Sequence, residues 1–505
     1  MNFVDSNVMF ENAYTNNIEV LYGFKRDPLE DVILMETNIV PHDYSVNVRV
    51  NCCAQQAYSI DPDGCQDADD AFSIYHENGN LILDIHIADP TEYIDPNSVL
   101  WKDIVDRTVT RYISNRDPIH MLPFEIMEKS SLMKNEYGDI KNAITIRTFI
   151  DEDSYKPIGD VSILFSRIRV DKRTAFTYKQ ASELKYVDPM INRGVKISKA
   201  LLEIRSNNTL GTKLTEVSRS YVKYSESGPY LYKDSPEEIE MKQMIGEFAI
   251  FANSFVGEYL KLHFKGMGIF RTCHASDWLN TLDSNISGTE LLNRIIKDGI
   301  SADYLAENAS HDLVGMPSYC HFTSPMRRLS DCLCHYILKY IHFEKYYKQH
   351  ERRHIPNIFT NQELESMSKR CYDVTKYMKN VQYKDTKFRL IQTMKNILND
   401  TSKVIKLQFF FTSYMKSFIN IIINKINEHD VYMSYTLRKP DFHCPDSSCE
   451  YKINITHVNI PGKYDQGSIP ELDRVVLNDT YHAYEISNQT SESSITSYEG
   501  SSSGV

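Results

Sequence analysis

No excess of positive charge marks this chain: 56 Lys and Arg stand against 68 Asp and Glu, a formal net charge of −12 at pH 7. Attachment to a polyanion through overall charge is thereby excluded, and any nucleic-acid site has to be a local groove. Cysteine is sparse, 10 in 505 residues with no regular framework, which argues against a disulfide-stapled secreted domain and for a reducing compartment. No uninterrupted apolar run reaches membrane length. The nearest, residues 404–426, carries Lys406, Lys416 and Asn420 and falls short of the ~18 uncharged residues a span needs. Residues 1–17 have neither the basic start nor the apolar block of a signal peptide. The expectation is a soluble, cytoplasmic, monomeric protein with no membrane contact.

What the chain does have is enough apolar mass, 42% of 505 residues, for the two to four domains expected at roughly 100–200 residues each. Residues 71–75 and 81–87 alternate as strands around Glu77-Asn78-Gly79-Asn80, whose Asn-Gly pair suits a tight hairpin. Residues 160–185 read as further β-structure. After Ser235-Pro236-Glu237-Glu238, residues 236–265 take helical spacing, and residues 327–343 and 361–398 read as two more helices. Short β-like runs at 405–414, 417–424 and 431–437 then suggest a small β-barrel module. Residues 487–505 are rich in Ser, Thr and Gly and read as a disordered tail. The fold class expected is mixed α/β, with strands grouped early and helices late.

One segment outweighs the rest: Ile60-Asp61-Pro62-Asp63-Gly64-Cys65-Gln66-Asp67-Ala68-Asp69-Asp70-Ala71. Two carboxylates about 4 Å apart repel by roughly 4 kcal/mol at an effective dielectric of 20, so gathering several beside apolar strands is costly without a cation. All-oxygen ligation points to Mg²⁺, Mn²⁺ or Ca²⁺ and away from zinc. A calcium loop fails on spacing, because it needs Gly at its sixth position and Glu at its twelfth, whereas counted from Asp61 Gly64 is fourth and Phe72 twelfth. The competing reading is a solvated acidic turn.

Asp61, followed by Asp67, Asp69 and Asp70 six, eight and nine residues later, closely resembles the metal-binding signature of the ribonuclease II / ribonuclease R (RNB) family of 3′-to-5′ exoribonucleases. Further matches follow in the family's order: Ile85-His86-Ile87-Ala88-Asp89-Pro90, Met121-Leu122-Pro123, Ser130-Ser131-Leu132, Thr177-Tyr178, residues 247–253, Phe270-Arg271, and His321-Phe322-Thr323-Ser324-Pro325-Met326-Arg327-Arg328 with Asp331 and His335. The resemblance covers about residues 47–395. It implies a catalytic domain over 47–400 with a β-sheet core and long helices, a short lead-in over 1–46 without a complete cold-shock barrel, and a divergent S1/OB-like barrel over 401–486.

The activity implied is Mg²⁺-dependent (or Mn²⁺-dependent) hydrolysis of single-stranded RNA to nucleoside 5′-monophosphates. Asp61, Asp67, Asp69 and Asp70 would hold the metal, with Asp69 most essential, and Arg327 would grip the scissile phosphate. Tyr112 would stack on a terminal base, Tyr178 and Glu247 would lie near a ribose 2′-hydroxyl, and Arg328 would join the RNA contacts. His86 and His335 read instead as satisfied core histidines. Residues 339–400 hold 13 Lys and Arg against 7 Asp and Glu, which suits either a strand-guiding lining or a solvated helix face. Cys444 and Cys449 with His443 supply too few ligands for zinc. Asn380 stands where the family pattern implies an acidic side chain. That departure and the missing leading barrels support an alternative, a catalytically weak or inactive RNA-binding protein on the same fold; a DNA exonuclease with the same metals is a third reading.

Overall fold

The structure, a computed structural model, describes residues 49–455 apart from 66, 113–116, 351–358, 399–403, 415–417 and 439–449. The lead-in, the Cys444–Cys449 stretch and the Ser-rich tail lie outside the described residues.

Strands β1 (Val50–Gln56), β2 (Ser59–Asp61), β3 (Asp70–Glu77), β4 (Asn80–Ala88), β5 (Ile140–Ile150), β6 (Pro157–Arg169) and β7 (Ala175–Thr177) build the framework of the first part of the chain. Five of them form one sheet in the order β1-β6-β5-β4-β3. It is antiparallel except where β1 runs parallel to β6. The β3–β4 hairpin closes at Glu77↔Asn80, with Asn78 and Gly79 at φ of 52° and 79°, the left-handed pair that matches strand twist. β4 is buried along nearly its whole length. One face carries Leu81, Leu83, Ile85 and Ile87; the other carries Asp84 and His86, both satisfied. Arg147 donates to Asp84 from Nε at 2.8 Å and Nη2 at 2.7 Å. His86 lies 3.0 Å from Ser73 Oγ and 2.8 Å from Thr145 Oγ1.

The helix Pro236–His263 starts where the sequence predicts, because Ser235 and Glu238 exchange backbone and side-chain hydrogen bonds in a capping box. Its buried side chains Met241, Met244, Phe248, Ala252, Val256 and Leu260 recur at three- and four-residue intervals, and Phe248 meets Phe72 edge-on at 5.4 Å between centroids. At Gly257 a Cβ would come within 2.9 Å of Tyr319 N, so only glycine lets the helix lie against the chain entering the 321–328 segment. The later helices run Leu329–His350 and Asn361–Leu398.

Two expectations need correction. The β-reading of residues 160–185 ends early: Tyr178–Leu184 is a helix, because Thr177 and Gln180 form a capping box that turns the chain out of β7. The helix expected from 327 begins at Leu329, which leaves Arg327 and Arg328 on the turn before it. Residues 405–414 and 418–426 are antiparallel strands, and with His429–Arg438 and Glu450–Ile455 they form a separate four-stranded sheet. No helix among the described residues is long and apolar enough to cross a membrane.

A buried ion network, unread from sequence, ties the first described residue to this framework. Arg49 Nη2 meets Asp89 Oδ2 at 2.5 Å and Glu92 Oε2 at 2.7 Å, and Lys339 Nζ lies 2.9 Å from each of the same two carboxylates. His335, 0% exposed, has Nε2 3.0 Å from Phe322 O. It is a core histidine, but only half satisfied: its buried Nδ1 has no hydrogen-bond partner and lies 3.6 Å from Asp89 Oδ1.

Candidate active site at the aspartate loop

The aspartates sit where two strand ends converge. β2 places Asp61 opposite Thr177 of β7, and β3 begins with Asp70 opposite Ile87. Between them the loop is pinned by Ala88 N–H donating to Asp69 O at 2.8 Å and Leu132 N–H donating to Ala68 O at 3.0 Å. Gly64 supplies the positive φ of 80° in the turn after Pro62.

Asp69 is the best-held member. Its Oδ1 accepts from Met326 N–H at 3.0 Å and its Oδ2 from Arg327 Nε at 3.2 Å. Arg327 Nη2 also donates to Ser324 Oγ at 2.9 Å. The 324–331 segment is itself fixed by Asp331, 0% exposed: its Oδ1 accepts from Ser324 N–H at 2.7 Å and Arg328 Nη2 at 2.8 Å. Arg328 is thus committed to an internal carboxylate. The backbone clamp continues through Thr110 N–H to Arg327 O at 3.0 Å and Leu329 N–H to Thr108 O at 2.8 Å.

Burial, followed by the charges of Asp70, Asp69 and Asp67, pushes Asp61 up to about 8. Burial likewise raises Asp69 to about 7 against the opposing pull of Arg327, and Asp70 to about 6 against Arg327 and Arg328. Asp61 Oδ2 is buried with no hydrogen-bond partner. A desolvated, mutually repelling set of carboxylates with an orphaned oxygen fits a hard divalent cation. Among the described residues, however, no three such groups converge as a ready-made ligand set; the ion would have to draw them together, in part away from Arg327.

Tyr112, 44% exposed, is raised to about 12 by burial of its hydroxyl, with Arg327 opposing and Asp69 and Asp67 adding to the rise. Tyr178, the first residue of its helix, is raised by burial and then by Asp70 and Asp61, and Lys242 Nζ lies 5.4 Å from its ring centroid. Asp61, Asp67, Asp69, Asp70, Tyr112, Tyr178, Arg327 and Arg328 therefore share one electrostatic neighbourhood. Glu247 does not join them. Its carboxylate, 4% exposed, accepts from Arg205 Nη2 at 2.5 Å and Nε at 3.0 Å, so the buried acid that sequence reads as a ribose contact is an internal ion pair. Sequence reasoning also passed over His120, which feels Asp67 and has a buried Nδ1 without a partner, and the N–H of Met326, which no side-chain pattern can reveal.

A sequence profile of the RNB domain matches residues 49–344, more than half of the chain, and the chain belongs to that family. It is similar to the exosome complex exonuclease Dis3 of Schizosaccharomyces pombe, with 24% identity over 55% of this chain and 32% of that protein. Among solved structures it resembles Mycoplasma genitalium RNase R in complex with ribose-methylated single-stranded RNA, with a TM-score of 0.67, 14% identity, and coverage of 88% of this chain and 76% of that one. It also resembles yeast Ssd1, described as a pseudonuclease, with a TM-score of 0.59, 15% identity, and coverage of 86% and 56%. The structural likenesses establish the mixed α/β RNB fold. The chain spans between about a third and about a half of the curated relatives it matches.

Proposed function

We propose that this protein is a divalent-metal-dependent, hydrolytic 3′-to-5′ exoribonuclease that releases nucleoside 5′-monophosphates from single-stranded RNA. The observation that carries the reading is the contact of Arg327 and Met326 N–H with Asp69, which joins residues 258 apart in sequence at the one buried carboxylate cluster the sequence singles out. Asp61, Asp67, Asp69 and Asp70 are the residues to hold Mg²⁺ or Mn²⁺. Bound there, such an ion supplies an activated water and charge stabilisation for phosphodiester hydrolysis. Arg327, its side chain 43% exposed, can turn its planar donors to the scissile phosphate while Ser324 holds Nη2. Tyr112 offers an accessible ring for a base, and Tyr178 a hydroxyl beside Asp61 and Asp70 for the sugar. The four-stranded sheet from Ile405 onward serves in this reading as a divergent S1/OB-like module.

The engaged state of Asp69 and the absence, among the described residues, of a preassembled ligand set favour the second reading, an RNA-binding protein of low or no activity. A 5′-labelled single-stranded RNA incubated with the protein, Mg²⁺ and then EDTA separates the two: stepwise shortening that EDTA stops supports the enzyme, and an intact substrate rejects it. Asp69→Asn is expected to abolish shortening while RNA affinity persists; a folded variant that loses both contradicts the role given to Asp69.

A further inference from the structure

Several arginines with buried side chains are paired with carboxylates: Arg49 with Asp89, Arg107 with Asp103, Arg205 with Glu247. Arg271 is different. It is 7% exposed on the strand Met267–Thr272, its backbone N–H donates to Tyr319 O at 2.8 Å, and its guanidinium lies over the Tyr304 ring at 4.7 Å. Among the described residues its side-chain nitrogens meet no carboxylate and no hydrogen-bond acceptor, yet none of them is sealed from solvent. A largely buried guanidinium with five N–H donors and no acceptor among the described residues leaves room for an anion.

A second cation adjoins it. The helix Asn361–Leu398 packs over the strands Met267–Thr272 and Asp303–Glu307 and brings Lys379, likewise without a carboxylate partner among the described residues. Its ammonium feels Arg271 and, in the opposite sense, the carboxylate of Asp303, but among the described residues Asp303 forms no ion pair with either cation. The neighbouring His311 is pushed down to about 4 by burial and Arg271. The location also follows from hydrogen bonds. The Tyr304 hydroxyl lies 2.6 Å from His321 Nδ1 and 3.4 Å from Ser330 Oγ, and Ser330 donates to Asp331, the partner of Arg328. Tyr304 thus forms a one-ring partition between Arg271 and the segment that carries Arg327 and Arg328.

We propose that Arg271 and Lys379 form a phosphate-binding subsite, separate from the Arg327–Asp69 contact, that takes a non-scissile phosphate of a bound strand or the phosphate of a free nucleotide. Its use in holding a strand rests on the RNA-acting reading above, but its chemistry does not require cleavage. A guanidinium braced on an aromatic face and a neighbouring ammonium are complementary to a phosphate's several acceptor oxygens.

The test is binding in EDTA, where no turnover occurs, using a single-stranded oligoadenylate, adenosine 5′-monophosphate and inorganic phosphate with the full chain. Arg271→Gln and Lys379→Gln are each expected to weaken oligoadenylate binding roughly tenfold and to lower the slope of log affinity against log salt by about 0.7, the release expected for one lost single-strand phosphate contact. If oligoadenylate binding is unchanged but the mononucleotide and phosphate no longer bind, the subsite belongs to the free nucleotide, and the proposal holds in that form. Lys379 is exposed, so Lys379→Gln decides the matter even if Arg271→Gln fails to fold. Unchanged binding of all three probes by a folded Lys379→Gln, or no binding of any probe by the wild type, overturns the proposal. A wild type that binds but never shortens RNA rejects the nuclease reading and leaves the subsite standing.

Discussion

The metal-free aspartate loop should be a measurable weakness, and Asp61→Asn should remove it. Asp61 rises from the ordinary ~3.9 of a carboxyl group to about 8 because it is buried among Asp70, Asp69 and Asp67. The unfolded chain releases this proton near pH 4, whereas the folded protein keeps it to pH 8. The associated stability is therefore full below pH 4 and is lost as pH rises toward 8. At pH 7 the loss reaches up to about 4 kcal/mol, at 1.36 kcal/mol per pH interval. Asn keeps the shape, cannot titrate and repels no neighbour. In EDTA at pH 7, thermal or urea unfolding is expected to show Asp61→Asn more stable than wild type, with a flatter pH dependence between 4 and 8. Mg²⁺ should raise the wild-type midpoint and raise the variant's much less. A variant that melts level with or below wild type in EDTA refutes the reasoning, since the buried charge would then cost nothing.

Other consequences are equally direct. Arg327→Lys keeps the charge but cannot serve Asp69 and Ser324 together, so cleavage should fall by about 10²–10³-fold, the loss of one preorganised donor, with RNA affinity nearly unchanged; single-turnover kinetics beside equilibrium binding reads this. Glu247→Ala leaves Arg205 buried and unpaired and should cost about 3–5 kcal/mol in denaturant unfolding; a stable variant altered only in RNA-over-DNA preference would instead restore Glu247 to the sugar contact. His86, pushed down to about 4 by burial, keeps the folded state proton-free while the unfolded chain titrates near 6.5, so stability is full above that value and falls as pH drops toward 4. About 2 kcal/mol of it is gone by pH 5, and the urea midpoint of His86→Gln should move less between pH 7 and 5 than that of wild type.

The particular elements show how far sequence reading reaches. The Asn78-Gly79 hairpin and the Ser235 capping box were legible because each is encoded within a few residues and depends on backbone geometry that few side chains permit. The helix Tyr178–Leu184 was missed, although Thr177 and Gln180 carry its signal, because β-branched and aromatic neighbours favour a strand by propensity alone. Glu247 was legible as a buried acid in need of a partner, but Arg205 lies 42 positions away, and nothing local names it. Arg328 differs: its partner Asp331 stands three positions on within the same motif, yet the sequence groups Arg328 with Arg327, and the ion pair to Asp331 is what divides their roles.

By itself, the order of residues determined the acidic loop, the family resemblance and the mixed α/β class, because spacing within a strand–turn–strand unit and colinear motifs are one-dimensional properties. Which distant charges meet was decided by the tertiary structure. The closure of Met326 and Arg327 onto Asp69, the diversion of Glu247 to Arg205 and the lack of a carboxylate on Arg271 among the described residues all depend on segments brought together by a shared core, and burial is what turns such proximity into shifted protonation and anion demand.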